Sequence, residues 1–200
     1  MVGTSPQLGR PETTCEPIDP LVRVGHVHLR VSDLERSLAF YCGALGFGVQ
    51  ATIGREAAFL AAGGYHHHLA LSTWESRDGP RPATGTTGLH HVAFVYPTRT
   101  ALATALRRLM ALGVKPTGAS DHGGAEAVYI RDPDGNGVEL YWDRPEREWP
   151  RHADGSLRIV DAPLDVEELA REGSSGGHEG GGQMLLRPSR RRGRSETARR

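Results

Sequence analysis

Between Val24 and Arg144 the chain carries one pattern twice, and this duplication restricts the fold more than any other feature. The first copy reads GHVHLRV and then SDLERSLAFYCGALGFGV; the second reads HHVAFVY and then PTRTALATALRRLMALGVKP. Each is a histidine-bearing strand, a helix, and a stop at Ala44-Leu45-Gly46 or Ala111-Leu112-Gly113. The spans from His26 to Gly46 and from His91 to Gly113 differ by two residues, as expected of one repeated supersecondary unit.

The helices carry start and stop signals. Ser32 with Glu35 forms a capping-box pattern, Leu34, Leu38, Tyr41 and Leu45 make an apolar stripe, and Gly46 suits a left-handed end. Thr98 opens the second helix, Leu102, Leu106 and Leu109 form its stripe, and Gly113 stops it. Three short strand-like runs come after each helix: 47–53, 56–62 and 66–72, then 114–120, 125–131 and 136–142. Each unit is therefore βαβββ, and the class is α+β.

Alternation indicates what the sheets enclose. Val27, Leu29 and Val31 share one face of the first strand, with His26, His28 and Arg30 on the other; Val138 and Leu140 alternate in the same way with Glu139 and Tyr141. Helices on the apolar faces leave the His and Glu faces to line a polar cavity. The run His66-His67-His68 is no metal cluster by itself, because neighbouring strand residues point to opposite faces. Alternation groups His67 with Leu69 and Leu71, so only a strand irregularity turns it inward.

Composition bounds the rest. With 200 residues and 38% apolar content, the chain suits one globular domain. Cys15 and Cys42 are too few and too isolated for a disulfide framework or a thiolate metal site. No run of 18 apolar residues and no signal-like start is present, so no membrane association and a cytoplasmic location are expected. The net charge of zero conceals an uneven distribution: seven of the 24 Lys and Arg residues fall at or after Arg187, leaving an acidic body ill-suited to nucleic acid. Only the basic tail could touch such a partner, and GSSGGHEGGGQ ahead of it reads as a flexible linker. The expected division is an N-terminal extension (1–21), the paired modules (22–150), an arm with a short helix at Leu164 to Ala170 (151–171) and a Gly/Arg-rich tail (172–200).

GHVHLRVSDLERSLAFYCGALGF and HGGAEAVYIRDPDGNGVE, the latter with Val128, Tyr129, Asp132, Pro133, Gly135 and Glu139 in register, resemble the vicinal oxygen chelate superfamily and the signature of its extradiol ring-cleaving dioxygenases. The resemblance covers roughly residues 22–150 and is nearest to small catechol 2,3-dioxygenase-like members. Ser120 departs from the pattern, which usually has Gly, Asn or a small apolar residue there. The resemblance implies two βαβββ modules curled into an open mixed β-barrel with helices outside. It implies metal ligands at His26, His91 and Glu139, a facial triad suited to Fe(II), with Mn(II) as the other candidate. It also implies an acid-base histidine at His67, a substrate-side histidine at His122 and a substrate-binding Tyr129, acting on a small aromatic diol and O2 in a homodimer. His28 is expected to line the cavity and His90 to pack on a helix or bond to backbone.

Two other functions compete. One is a metal-free, drug-sequestering binding protein of the same fold, which has no need of His26, His91 and Glu139. The other is a glyoxalase-like isomerase, which takes a further carboxylate from the fourth strand of a module; the interior of HLALSTWES holds none.

Overall fold

The computed structural model describes residues 16–172; Cys15, the Gly-rich linker and the basic tail lie outside the described residues. The first module comprises β1 (Val27–Arg30), α1 (Leu34–Leu38) continuing into a π-helical segment (Ala39–Ala44), β2 (Gly48–Ile53), β3 (Ala57–Ala61) and β4 (Leu69–Ser72). The second comprises β5 (Val92–Val95), α2 (Arg99–Ala111), β6 (Gly118–Asp121), β7 (Ala125–Arg131) and β8 (Gly137–Asp143). A short 3-10 turn (Glu146–Glu148), β9 (Ala162–Pro163) and α3 (Val166–Glu172) complete the order.

Both modules fold to the same order, β1-β4-β3-β2 and β5-β8-β7-β6, with β9 added beside β6. In each, the first strand runs parallel to the fourth, Val27 beside Leu69 and Val92 beside Val138, and the remaining pairs are antiparallel. Two βαβββ modules are thus present, as two open sheets that do not close into one barrel.

The helix starts differ in detail from the sequence pattern. Asp33, not Ser32, caps α1, accepting from the Arg36 N–H at 3.0 Å. Ser32 is drawn away because its hydroxyl donates to Asp134 at 2.6 Å. Beyond Leu38 the helix widens, Leu45 N–H reaching the Phe40 carbonyl, and this brings Phe40, Tyr41 and Ala44 into the core in place of a strict i, i+4 stripe. The cap of α2 is Thr98, which accepts from the Ala101 N–H at 3.1 Å, and Leu102, Leu106 and Leu109 are buried as the stripe requires.

One core serves both modules. Leu29, Leu60, Leu69 and Leu71 of the first sheet join Val128, Ile130, Val138 and Leu140 of the second, with Leu34, Tyr41, Leu102 and Leu106 from the helices. Each such side chain contributes about 1.5–3 kcal/mol when fully buried. A polar knot fastens the modules: Tyr41 donates to Asp132 at 2.9 Å, while Arg36 and Ser32 hold Asp134. The long inter-module loop joins it, Arg81 donating to the Pro133 carbonyl at 2.8 Å and Asp78 N–H to the Ser32 carbonyl at 3.0 Å.

The post-module arm packs on the second sheet. Leu169 of α3 is fully buried, and Arg99 bridges Glu126 and Glu172. Among the described residues no helix is long and apolar enough to cross a membrane.

Arg144 pairs with Asp121 at 2.6 Å and with Glu126 at 2.7 Å. The hydrogen bond from Arg144 holds the Asp121 carboxyl below its ordinary range. A carboxyl lowered by folding stabilises above its unfolded pKa and loses that contribution as pH falls through the folded one. Asp121→Asn should therefore cost about 1 kcal/mol at pH 7, with the difference from wild type shrinking as pH falls below about 4; urea unfolding at both pH values measures it.

Candidate functional site

The parallel β5–β8 pairing builds the densest part of the site. Ala93 lies opposite Glu139, so His91, just before β5, shares the Glu139 face. His91 Nε2 is 2.9 Å from Glu139 Oε2. On β7, Tyr129 lies opposite Glu139 in the antiparallel ladder, and its ring centroid is 5.8 Å from that of His91. Its hydroxyl sits 2.8 Å from His122 Nε2. Burial first, then the Glu139 charge, push the Tyr129 hydroxyl up to about 12, so it keeps its proton at neutral pH. Four of the six expected site residues therefore gather on one sheet.

The other two meet on the first sheet. The strand expected over 66–72 begins only at Leu69, and residues 62–68 form a turn. That irregularity frees His67 from alternation: its ring lies 4.4 Å from His26 and 5.1 Å from Phe59, which pairs with Ala70 on the His28 face. Burial and the surrounding imidazoles, His26 foremost, lower the His67 pKa. His66 stays beside His67, Nδ1 to Nδ1 at 2.7 Å, while Tyr65 packs against both His66 and His68 and His68 Nδ1 accepts from the Ala62 N–H.

His28 lines a cleft of about 280 Å³ with Arg30, Ser72, Trp74 and Glu75, its Nε2 2.9 Å from the Ser72 hydroxyl. His90 neither packs on a helix nor bonds to backbone as expected. It is exposed, with Nδ1 3.0 Å from His91 Nδ1, because it precedes β5 and no element covers it.

An imidazole and a carboxylate facing each other at 2.9 Å suit a divalent metal, but a triad needs a third donor. Among the described residues no three His, Cys, Asp or Glu side chains stand together so as to hold one ion, and His26 is with His67 rather than with His91 and Glu139. Among the described residues of one chain, His91 and Glu139 thus lack the third donor of a triad.

Two participants were not foreseen. Phe59 beside His67 was legible in β3 alternation once the register was known. The Val160 carbonyl, 3.0 Å from His122 Nδ1, is a backbone atom in the arm and carries no sequence signal.

Gly137 opens β8 beneath His91: a Cβ there would lie 2.1 Å from the His90 carbonyl oxygen and 2.9 Å from His91 Cβ. Gly137→Ala should force β5 from β8, costing about 1–3 kcal/mol in urea unfolding and disrupting the His91–Glu139 pair.

Comparisons with known proteins place this architecture. Over 150 residues the chain is 38% identical to the Catechol-2,3-dioxygenase of Bacillus subtilis (strain 168), covering 74% of this chain and 51% of that protein. It is 33% identical over 121 residues to the Biphenyl-2,3-diol 1,2-dioxygenase 3 of Rhodococcus globerulus, covering 60% and 63%. The chain thus spans between half and two-thirds of the length of these relatives. Among solved structures, a glyoxylase/bleomycin resistance protein/dioxygenase domain from Frankia sp. EAN1pec aligns with a TM-score of 0.52 at 25% identity, over 62% of this chain and 99% of that one. A glyoxalase/dioxygenase from Nostoc punctiforme, 21% identical, shares the fold with a TM-score of 0.52 over 66% of this chain and all of that one. The model of the Glyoxalase/Bleomycin resistance protein/Dioxygenase superfamily matches residues 23–140, which span both βαβββ modules, and the chain belongs to that superfamily.

Proposed function

We propose that the protein is an Fe(II)-dependent extradiol dioxygenase that opens the ring of a catechol-type diol with O2. The observation that carries this reading is the His91–Glu139 pair with Tyr129 and His122 beside it, a donor set and a proton-handling pair on one sheet face. The likeness to two diol dioxygenases supports it. So does β4, whose Leu69–Ser72 run has no carboxylate to serve as the extra ligand of an isomerase.

The incomplete triad points to a homodimer. The apolar faces of both sheets are consumed in the shared core, and each polar face is turned away from it. On those faces Ala93 and Val95 of β5 are exposed, and the edge strand β2 is exposed on both of its sides. Two copies pairing through these faces would bring His26 and His67 of one against His91 and Glu139 of the other. Iron, when bound, would supply one centre at which diol and O2 meet. The chain's own contribution is to hold a diol beside Tyr129, which keeps a proton to offer, and His122, which can accept one.

Anaerobic purification with metal analysis, followed by oxygen uptake on a panel of catechols, tests the reading. Iron bound near one per chain and oxygen consumed with at least one catechol are expected, both lost in His91→Ala. No oxygen uptake by the iron-loaded protein with any catechol would overturn the assignment.

A further inference from the structure

We propose that the arm following the second module fixes the direction of the hydrogen bond between His122 and Tyr129, so that His122 presents a bare Nε2 to the Tyr129 hydroxyl. This deepens the dioxygenase reading and rests on it only for calling these two residues part of the reaction site.

The geometry admits one arrangement for a neutral imidazole. His122 Nδ1 lies 3.0 Å from the Val160 carbonyl oxygen. A carbonyl only accepts, so Nδ1 carries the proton, and Nε2, 2.8 Å from the Tyr129 hydroxyl, is left with a lone pair. Tyr129 then donates to His122. Its oxygen lone pairs are then left as acceptors, to which a substrate hydroxyl could donate. Any proton that the neutral ring gains is then taken up at Nε2, on the side of the Tyr129 hydroxyl.

The arm is built to hold that carbonyl in place. Val160 N–H returns to the His122 carbonyl at 3.3 Å, and two residues on, Ala162 pairs with Asp121 as β9 adds to β6. Gly123 has a left-handed φ of 77°, and a Cβ there would lie 2.5 Å from Pro150 Cγ and 3.2 Å from Val160 Cγ2. Gly124 lies under Trp149, whose indole donates to the Arg144 carbonyl at 2.8 Å. Two glycines thus let the arm lie directly against His122. Val160 falls beyond residues 23–140, so the device belongs to the arm and not to the paired modules.

Val160 is a positioning residue, and the tautomer of His122 is the readout. In the metal-free full chain labelled with 15N-histidine, with the His122 signals assigned by their loss in His122→Gln, NMR should find Nδ1 protonated and Nε2 bare. A preference of roughly tenfold is expected, the size one such hydrogen bond confers. Gly123→Ala should push the arm off and shift His122 toward the Nε2–H form, with Tyr129 and Glu139 untouched. Nε2–H as the main wild-type form, or an unchanged tautomer in folded Gly123→Ala, would overturn the proposal; should that variant not fold, the wild-type spectrum decides. Neither measurement needs iron or turnover, so failure of the dioxygenase reading leaves this result standing, and the reverse also holds.

Discussion

Chains bearing His26→Ala and chains bearing His91→Ala should each lose bound iron, and co-expressing the two should restore roughly a quarter of the wild-type content. In one chain His26 keeps company with His67, while His91 faces Glu139, and no three donors converge among the described residues. If the sites form between copies, each mixed dimer holds one whole site, with His26 from the His91→Ala chain and His91 with Glu139 from the other. Random pairing makes about half of the dimers mixed, which gives the quarter. Metal analysis of the co-purified dimers reads the outcome. If the site lay within one chain, every chain in the mixture would lack a ligand and restoration would be nil; that result, or a monomer with full iron, would refute the shared site.

Asp132→Ala should be among the most damaging single changes to stability, lowering the unfolding free energy by about 3 kcal/mol or more. Asp132 is only 3% exposed and accepts four bonds: from the Tyr41 hydroxyl, the N–H groups of Asp134 and Asn136, and the Asn136 amide. Truncation leaves the buried Tyr41 hydroxyl and the turn amides without partners. Burial first, then Asp132 and Asp134, drive the Tyr41 pKa far above its ordinary value, so this hydroxyl stays protonated and remains a donor. Tyr41→Phe removes one bond and keeps the ring, and should cost about 1 kcal/mol. Urea unfolding of both variants checks the order. A smaller loss for Asp132→Ala than for Tyr41→Phe would show that the turn is not the clasp between modules.

The duplication was legible because a histidine strand, a capped helix and a glycine stop recur at nearly equal spacing, and each signal is local. The polar face of Glu139 was legible too, since period-two alternation settles which side of a strand a residue takes. His91 came only from the family resemblance, and it meets Glu139 through the β5–β8 register. Ser32 misled as a cap because its true partner, Asp134, is distant in sequence. His67 was ambiguous because alternation applies only inside a strand, and the chain straightens into β4 two residues later, at Leu69.

Short-range periodicity and capping thus carry the two βαβββ units, their strand faces and the residue types that can bind a metal, and all of these can be read along the chain. Which of those residues meet is a property of the folded molecule. The gathering of His91, Glu139, Tyr129 and His122, the separate pairing of His26 with His67, and the hold of Val160 on His122 depend on sheet register and on an arm that returns across 38 residues. Such contacts arise from the packing of whole elements on a common core, and no local pattern encodes them.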